Sequence, residues 1–110
     1  MKTLIKVALL AGALVGGLTA QAADAKANYE KECTKCHGAD GRGQTKMGRQ
    51  SGAKDYTDPK VQADLDDAKA LQNTKNGMKD NGKEKMKPYG DKFTDDEIKA
   101  LIAYMRAFKK

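Results

Sequence analysis

Apolar residues recur at helical spacing near the end of the chain. They follow one another at intervals of three and four residues, which places them on one face of an amphipathic helix: Ile98, Leu101, Ile102, Met105 and Phe108. Just before them, Thr94 and Glu97 have the spacing of a capping box, and Phe93 stands where a hydrophobic staple begins. The pattern therefore predicts a helix that starts after Thr94 and buries this apolar stripe.

Two earlier segments also have helical character. Residues 24–36 are rich in helix formers, Asp24 can cap their start, and Tyr29 and Cys33 fall on one face, where Tyr29 is expected to pack in the core. Further along, Thr57 or Asp58 precedes a proline, which marks a helix start. Apolar spacing continues from there, at Val61, Leu65, Ala68 and Leu71. This part predicts one helix, or two broken near Asp66, that ends at Gly77.

The remaining segments have no periodic apolar pattern. Residues 38–52 contain five glycines, and residues 78–92 are mostly polar, so both are predicted to be loops. No segment alternates convincingly as a strand would. The predicted fold class is therefore all-α, a small arrangement of three or four helices.

The first residues have the order of a secretory signal peptide. Lys2 and Lys6 form a basic start, residues 7–18 are apolar, and Ala20 and Ala22 offer a cleavage site. The apolar run is short for a membrane span, which needs about 20 residues, so an uncleaved anchor helix is disfavoured. We predict a Sec-type signal at residues 1–22, a single domain at residues 23–110, export to the periplasm, and no membrane span once the signal is removed.

Composition indicates that the predicted domain lacks material for a large core. Charged residues make up 33% of the chain, which has no tryptophan, two phenylalanines and four tyrosines. Small domains of this kind use a disulfide, a metal or another covalent group. The 19 basic and 15 acidic residues after residue 22 give a net charge of only +4. With no aromatic residues interleaved in a basic stripe, this charge does not indicate nucleic-acid binding.

Both cysteines and the only histidine lie together, at Cys33, Cys36 and His37. Zinc normally takes four ligands, more than this cluster offers. A thioredoxin-like pair is expected in a βαβ setting, and no strands are predicted. A disulfide between Cys33 and Cys36 would close too small a loop to stabilise the chain much.

The order Cys-x-x-Cys-His is the attachment motif of c-type haem. Two thiols so spaced can add to the two vinyl groups of one porphyrin, and the following histidine can bind the iron as its proximal ligand. The export signal and the small core agree with this interpretation, because the attachment is made outside the cytoplasm. One covalent haem c per chain, bound by Cys33, Cys36 and His37, is therefore favoured over the other three alternatives.

In residues 28–43 (NYEKECTKCHGADGRG) and 97–108 (EIKALIAYMRAF) the chain resembles class I monohaem cytochromes c. The resemblance covers nearly all of residues 23–110. It implies helices wrapped around one haem, low-spin iron with six ligands, and electron transfer rather than enzymatic catalysis. It also implies a methionine as the second axial ligand.

Met86 is the predicted distal ligand. It lies in a loop shortly before the last helix, and the family commonly has Met-Pro there, whereas this chain has Met86-Lys87-Pro88. Met105 belongs to the apolar stripe, and Met47 is expected on the proximal side. Met78 directly follows the predicted helix end and is expected to pack as an ordinary apolar residue.

The predicted function is that of a periplasmic electron carrier, a monomer, with redox proteins as partners. Lys83, Lys85 and Lys87 surround Met86, with Glu84 as the opposing charge nearby, and they could dock partners with acidic surfaces. A solvated lysine loop is the alternative. Two other functions stay open: a five-coordinate haem protein that binds gas or reacts with peroxide, and a haem-free thiol–disulfide protein.

Overall fold

The computed structural model describes residues 23–110. The predicted signal peptide, residues 1–22, lies outside the described residues. Residues 23–32 are helical and form the described part of helix α1, and after a turn at Cys33 the short helix α2 follows at Thr34–His37. Because residue 23 is already helical, Asp24 lies inside α1. The prediction that Asp24 caps this helix was therefore wrong.

The last helix, α6 at Asp95–Arg106, has the predicted capping box. The Glu97 amide donates to the Thr94 hydroxyl, and the Thr94 amide donates to the Glu97 carboxylate. The apolar stripe of α6 is buried at Ile98, Leu101 and Ile102. This part of the fold is confirmed.

The middle of the chain forms two helices, α4 at Pro59–Asp64 and α5 at Asp67–Asn76. The break falls at Leu65 and Asp66, so the two-helix alternative is confirmed. Asp58 caps α4 by accepting from the Lys60 amide. Asp66 caps α5 by accepting from the amides of the two residues that follow Asp67. Gly77 ends α5 as predicted.

Both segments that were predicted to be loops contain regular structure. Helix α3 lies at Lys46–Ser51 within the glycine-rich segment. Strands β1 (Met78–Asp80) and β2 (Lys83–Met86) form an antiparallel hairpin. The fold is mostly helical, as predicted, with this one hairpin added among the described residues.

The turn of the hairpin consists of Asn81 and Gly82, which have φ angles of 51° and 76°. Positive φ at both central residues is what a type I′ two-residue turn requires, and Asn-Gly is the strongest short-range hairpin signal. The signal was present in the sequence. It was missed because the flanking strands are short and carry lysines instead of alternating apolar residues.

The core lies between α1, α6 and the segment that joins β2 to α6. Its buried members are Tyr29, Tyr89, Phe93, Ile98, Leu101 and Ile102. The Tyr29 ring of α1 packs at a tilt against the Tyr104 ring of α6, with ring centroids 4.9 Å apart. Within residues 23–110, α3, α4 and α5 contribute no fully buried apolar side chain. Three of the helices therefore contribute little to the core.

Candidate functional site

The residues of the Cys-x-x-Cys-His motif lie on one helical turn. The Cys33 amide donates to the Tyr29 carbonyl, and the His37 amide donates to the Cys33 carbonyl, both at 2.9 Å. The helical hydrogen bonding of α1 thus continues through Cys33 into α2. Residues at positions i, i+3 and i+4 share one face of a helix. Cys33, Cys36 and His37 consequently face the same side.

Both cysteines are free and half-buried, so they do not form the disulfide considered above. Burial raises the pKa of the Cys33 thiol to about 11, and the neighbouring Glu32 and Cys36 add to the effect. Reactive exchange thiols instead have a lowered pKa, because the thiolate is the nucleophile. The environment of Cys33 therefore disfavours the thiol–disulfide alternative.

His37 has the form that a metal requires. Burial lowers the pKa of its imidazole, so the ring is neutral at pH 7, and neutral imidazole is the ligand state. The Nδ1 atom is buried and has no hydrogen-bond partner among the described residues. The Tyr56 ring packs beside the imidazole, with centroids 5.7 Å apart. The neutral imidazole is therefore not engaged through Nδ1 and is available to bind iron.

A set of polar contacts holds the motif at its C-terminal end. The Thr45 hydroxyl lies 2.8 Å from the Lys35 carbonyl and 2.9 Å from the Cys36 carbonyl. It also accepts from the Gly48 amide as the N-cap of α3. A Cβ atom at Gly48 would collide with the Cys36 carbonyl. Helix α3 therefore packs directly on the motif through a residue without a side chain.

Sequence reasoning did not identify Thr45 or Gly48 as residues that support the motif. The only available signal was the spacing of Thr45 before Gly48, typical of a helix cap. It was hidden in a segment whose five glycines indicated a loop. The contact of α3 with Cys36 is tertiary, so no local pattern could reveal it.

Met86 lies at the end of β2, half-buried, and packs against the main core. Cys33 packs against the same core. The structure thus brings both residues to the edge of one apolar cluster. Met105 also packs against this core, as predicted.

The other two methionines of residues 23–110, Met47 and Met78, lie on the surface. Met47 in α3 is 40% exposed, and Met78 in β1 is 45% exposed. The expectation that Met78 packs as an ordinary apolar residue was wrong. Met78 enters the hairpin instead and is the register partner of Met86.

The segment that follows Met86 is clamped onto the end of α5. The Tyr89 amide donates to the Thr74 carbonyl at 2.9 Å, and the Gly90 amide donates to the Lys75 carbonyl at 3.0 Å. The last carbonyls of a helix have no partner within the helix, so this segment supplies the missing donors. Met86 is therefore held between the hairpin and a second set of backbone hydrogen bonds.

Tyr89 also ties this segment to the cysteine side of the site. Its hydroxyl donates to the Glu32 carbonyl, just before Cys33, at 3.1 Å. Lys92 Nζ lies 3.0 Å from the Glu32 carboxylate, and this contact keeps the pKa of Glu32 below its usual value. Burial raises the pKa of Tyr89 to about 12, so the hydroxyl stays protonated and can donate. Met86 and Cys33 are thus linked through Tyr89 and Glu32.

The described residues do not support a zinc site. From residue 23 to residue 110, no group of three or more histidine, cysteine or acidic side chains is arranged to hold a metal ion.

In the same part of the chain, no helix is long and apolar enough to cross a membrane.

The donor set suits a covalent haem. Two free thiols and a neutral imidazole share one face of a helical turn, which matches a porphyrin that takes two thioethers and one axial nitrogen. Ala70, Leu71 and Met86 are partly buried against the same core as Cys33. They are apolar side chains of the kind that border a flat macrocycle, and Met86 also carries a thioether.

Comparison with known proteins identifies the family. A family model described as cytochrome C oxidase, cbb3-type, subunit III matches residues 20–105. A solved structure named KustC0563 c-type cytochrome is 32% identical, with a TM-score of 0.66, and the match covers 77% of this chain and 96% of that one. A point mutant of that protein is 31% identical with a TM-score of 0.68, over 78% and 99% of the two chains. No curated protein matches.

The family model covers most of the chain, and the solved relatives are covered almost completely. The helical fold and the Cys-x-x-Cys-His turn agree with both comparisons. The chain belongs to this family and is a monohaem c-type cytochrome, an electron carrier with covalently bound haem c rather than an enzyme.

Proposed function

We propose that Cys33 and Cys36 bind the haem through thioethers and that His37 and Met86 are its axial ligands. The observation that carries the proposal is the shared face of Cys33, Cys36 and His37 on one turn. Each thiol adds its S–H across a vinyl C=C bond, so the attachment consumes no oxidant or reductant. Met86 is favoured over Met78 because it packs against the same core as Cys33, whereas Met78 faces solvent.

The haem, when bound, supplies one-electron chemistry. The chain supplies the iron ligands and holds them in position. His37 is oriented by the α2 turn and by its packing against Tyr56. Met86 is held by the hairpin and by the clamp at Tyr89. With His37 and Met86 both bound to the iron, no coordination site would remain for a substrate, and thioether ligation would favour a high potential. The residues therefore support outer-sphere electron transfer.

We further propose that residues 1–22 are a Sec-type signal peptide and that residues 23–110 act in the periplasm as a monomer. The support is the basic, apolar and small-residue order of the first segment. The covalent haem agrees with export, because its attachment takes place outside the cytoplasm. Analysis of the mature N-terminus by mass spectrometry tests the cleavage site after Ala22.

The lysines around Met86 are proposed to dock acidic redox partners. In the hairpin, Lys79 lies opposite Glu84 and Lys83 lies opposite Asp80. Asp80 is thus a second opposing charge that the sequence did not place there. Lys85 and Lys87 flank Met86 directly. Lys85 has no acidic register partner, whereas Lys87 follows β2, lies over the Tyr89 ring and acts on the Glu32 carboxylate. Lys85 is therefore the lysine expected to contribute most to docking.

The ligand assignment is tested by the ferric absorption spectrum of purified variants. Met86→Leu should lose the methionine–iron charge-transfer band and lower the reduction potential. Met78→Leu is the matched control, since it changes the register partner and conserves side-chain volume; it should keep the band. The opposite result would transfer the assignment to Met78. A high-spin ferric spectrum of the unmodified protein would support the five-coordinate alternative.

A further inference from the structure

We propose that Gly77 is a positioning residue for Met86: by lacking a side chain, it lets the Met86 backbone pack directly on the end of α5. The inference rests on the proposed role of Met86 as axial ligand. Gly77 itself touches neither haem nor iron. Its effect would reach the iron only through the placement of the Met86 thioether.

The backbone of Gly77 has a conformation that is essentially restricted to glycine. Its φ and ψ angles are 78° and 175°, and its amide donates to the Asn73 carbonyl at the end of α5. An L-amino acid with a side chain is strained in this region. The chain thus turns sharply from α5 into β1 at this one residue.

The space beside Gly77 is filled by the segment that carries Met86. A Cβ atom on Gly77 would lie 2.7 Å from the Met86 carbonyl oxygen and 2.9 Å from the Pro88 nitrogen. Both are backbone atoms, so they cannot move aside by a change of rotamer. Any side chain at residue 77 must therefore displace the backbone around Met86.

This segment is fixed on both sides of the contact. On one side Met86 is paired with Met78, the residue next to Gly77. On the other side the Tyr89 and Gly90 amides are bonded to the end of α5. Gly77 lies at the end of the same helix, α5. The Met86 segment therefore cannot shift away from a side chain at residue 77 without breaking these hydrogen bonds or moving the Met86 thioether.

The chain provides a matched control in the same hairpin. Gly82 also has a positive φ, 76°, but a Cβ there would meet nothing within 4 Å. Gly52 is similar, with a φ of 73° and open space. Gly82→Ala and Gly52→Ala therefore introduce backbone strain without contact, whereas Gly77→Ala introduces both.

The experiment measures imidazole binding to the ferric holoproteins, because imidazole must displace the distal methionine. Gly77→Ala should bind imidazole about tenfold more tightly than the unmodified protein, as expected when the competing bond is weakened by a modest strain. Its charge-transfer band should also weaken. Gly82→Ala and Gly52→Ala should stay within about twofold. Affinities are compared under conditions where circular dichroism shows all variants folded.

Equal imidazole affinities for Gly77→Ala and Gly82→Ala would overturn the inference. If Gly77→Ala does not fold alone, it is combined with Pro88→Gly, which removes the Pro88 ring and frees the contacted segment to yield, and is compared with Pro88→Gly alone. The double variant should bind imidazole more tightly than Pro88→Gly does, and equal affinities would also overturn the inference. Met86→Ala separates the two proposals: retention of its charge-transfer band would remove the ligand assignment itself, whereas loss of the band with an inert Gly77→Ala would remove only the role of Gly77.

Discussion

Tyr29 links the core to the haem-binding motif through a single side chain. The ring is fully buried and packs against Tyr104 and Phe108 of the C-terminal part. The hydroxyl donates to the Gly38 carbonyl, directly after His37, at 2.6 Å. Sequence periodicity predicted the packing of Tyr29 correctly. It could not predict the hydrogen bond, because that bond depends on how the chain turns at Gly38.

Tyr29→Phe should keep the packing and leave the Gly38 carbonyl without its donor. A buried polar group left unsatisfied costs about 2 kcal/mol, so the free energy of unfolding of the holoprotein should fall by about that amount. Tyr89→Phe is the comparison, because its hydroxyl bond is longer, 3.1 Å, and only part-buried; a loss of about 1 kcal/mol is expected there. Urea unfolding followed by circular dichroism measures both. A larger loss for Tyr89→Phe would contradict this ranking.

The same variant carries a prediction about pH. Burial raises the pKa of Tyr29 above its ordinary value of 10.0, so the folded state favours the protonated hydroxyl. The stabilisation of the folded state by the protonated Tyr29 hydroxyl is complete below pH 10. It is lost as the pH rises above 10, because the unfolded chain then gives up the proton first. The difference in unfolding free energy between the unmodified protein and Tyr29→Phe should therefore shrink above pH 10. A constant difference up to pH 11 would argue against this.

Among the helices and strands, those with a strong signal in their own sequence were predicted and the others were not. Helix α6 carries its own capping box and apolar stripe, so its sequence defines it without reference to the rest of the chain. Helix α3 is held by Thr45 and Gly48 against Cys36, and the hairpin is held by the clamp on α5. These contacts are tertiary. Apolar periodicity does not record them, and the local Asn81-Gly82 signal of the hairpin stands between short strands that carry lysines, so both elements were predicted to be loops.

The hairpin also limits which lysines can steer a partner. Lys85→Gln with Lys87→Gln should slow oxidation of the reduced protein by the anion hexacyanoferrate(III) about threefold at low ionic strength, because the local positive potential falls. Lys60→Gln with Lys69→Gln removes the same charge from exposed positions of α4 and α5 and is the control. Stopped-flow kinetics at several salt concentrations measures the effect. The advantage of the unmodified protein should disappear in high salt, since the Debye length at 0.1 M is about 10 Å.

Lys83→Gln should have a smaller effect, because Lys83 lies opposite Asp80. Rates that are independent of salt, or equal for the hairpin and control variants, would indicate that these lysines are only a solvated surface. The ranking of Lys85 above Lys83 was not visible in the sequence. It follows from the register of the two strands.

In the whole molecule, Cys33 of the haem-binding motif packs against the edge of a small apolar core. Fully buried apolar side chains come from α1, α6 and residues 89–93, while α3, α4 and α5 contribute none among the described residues. Small domains depend on an added group when their own core is limited. A covalent haem bound at Cys33 and Cys36 would add apolar surface to this core. We therefore expect the haem to complete the fold as well as to carry the electron.

Circular dichroism of the haem-free chain tests this claim most directly. Cys33→Ser with Cys36→Ser should abolish covalent attachment. The resulting protein should have much less helix than the holoprotein and no cooperative thermal transition. The holoprotein, made with haem-maturation machinery and measured in the same buffer, is the reference. A haem-free double variant that keeps its helical signal and melts cooperatively would show that the chain folds without the haem.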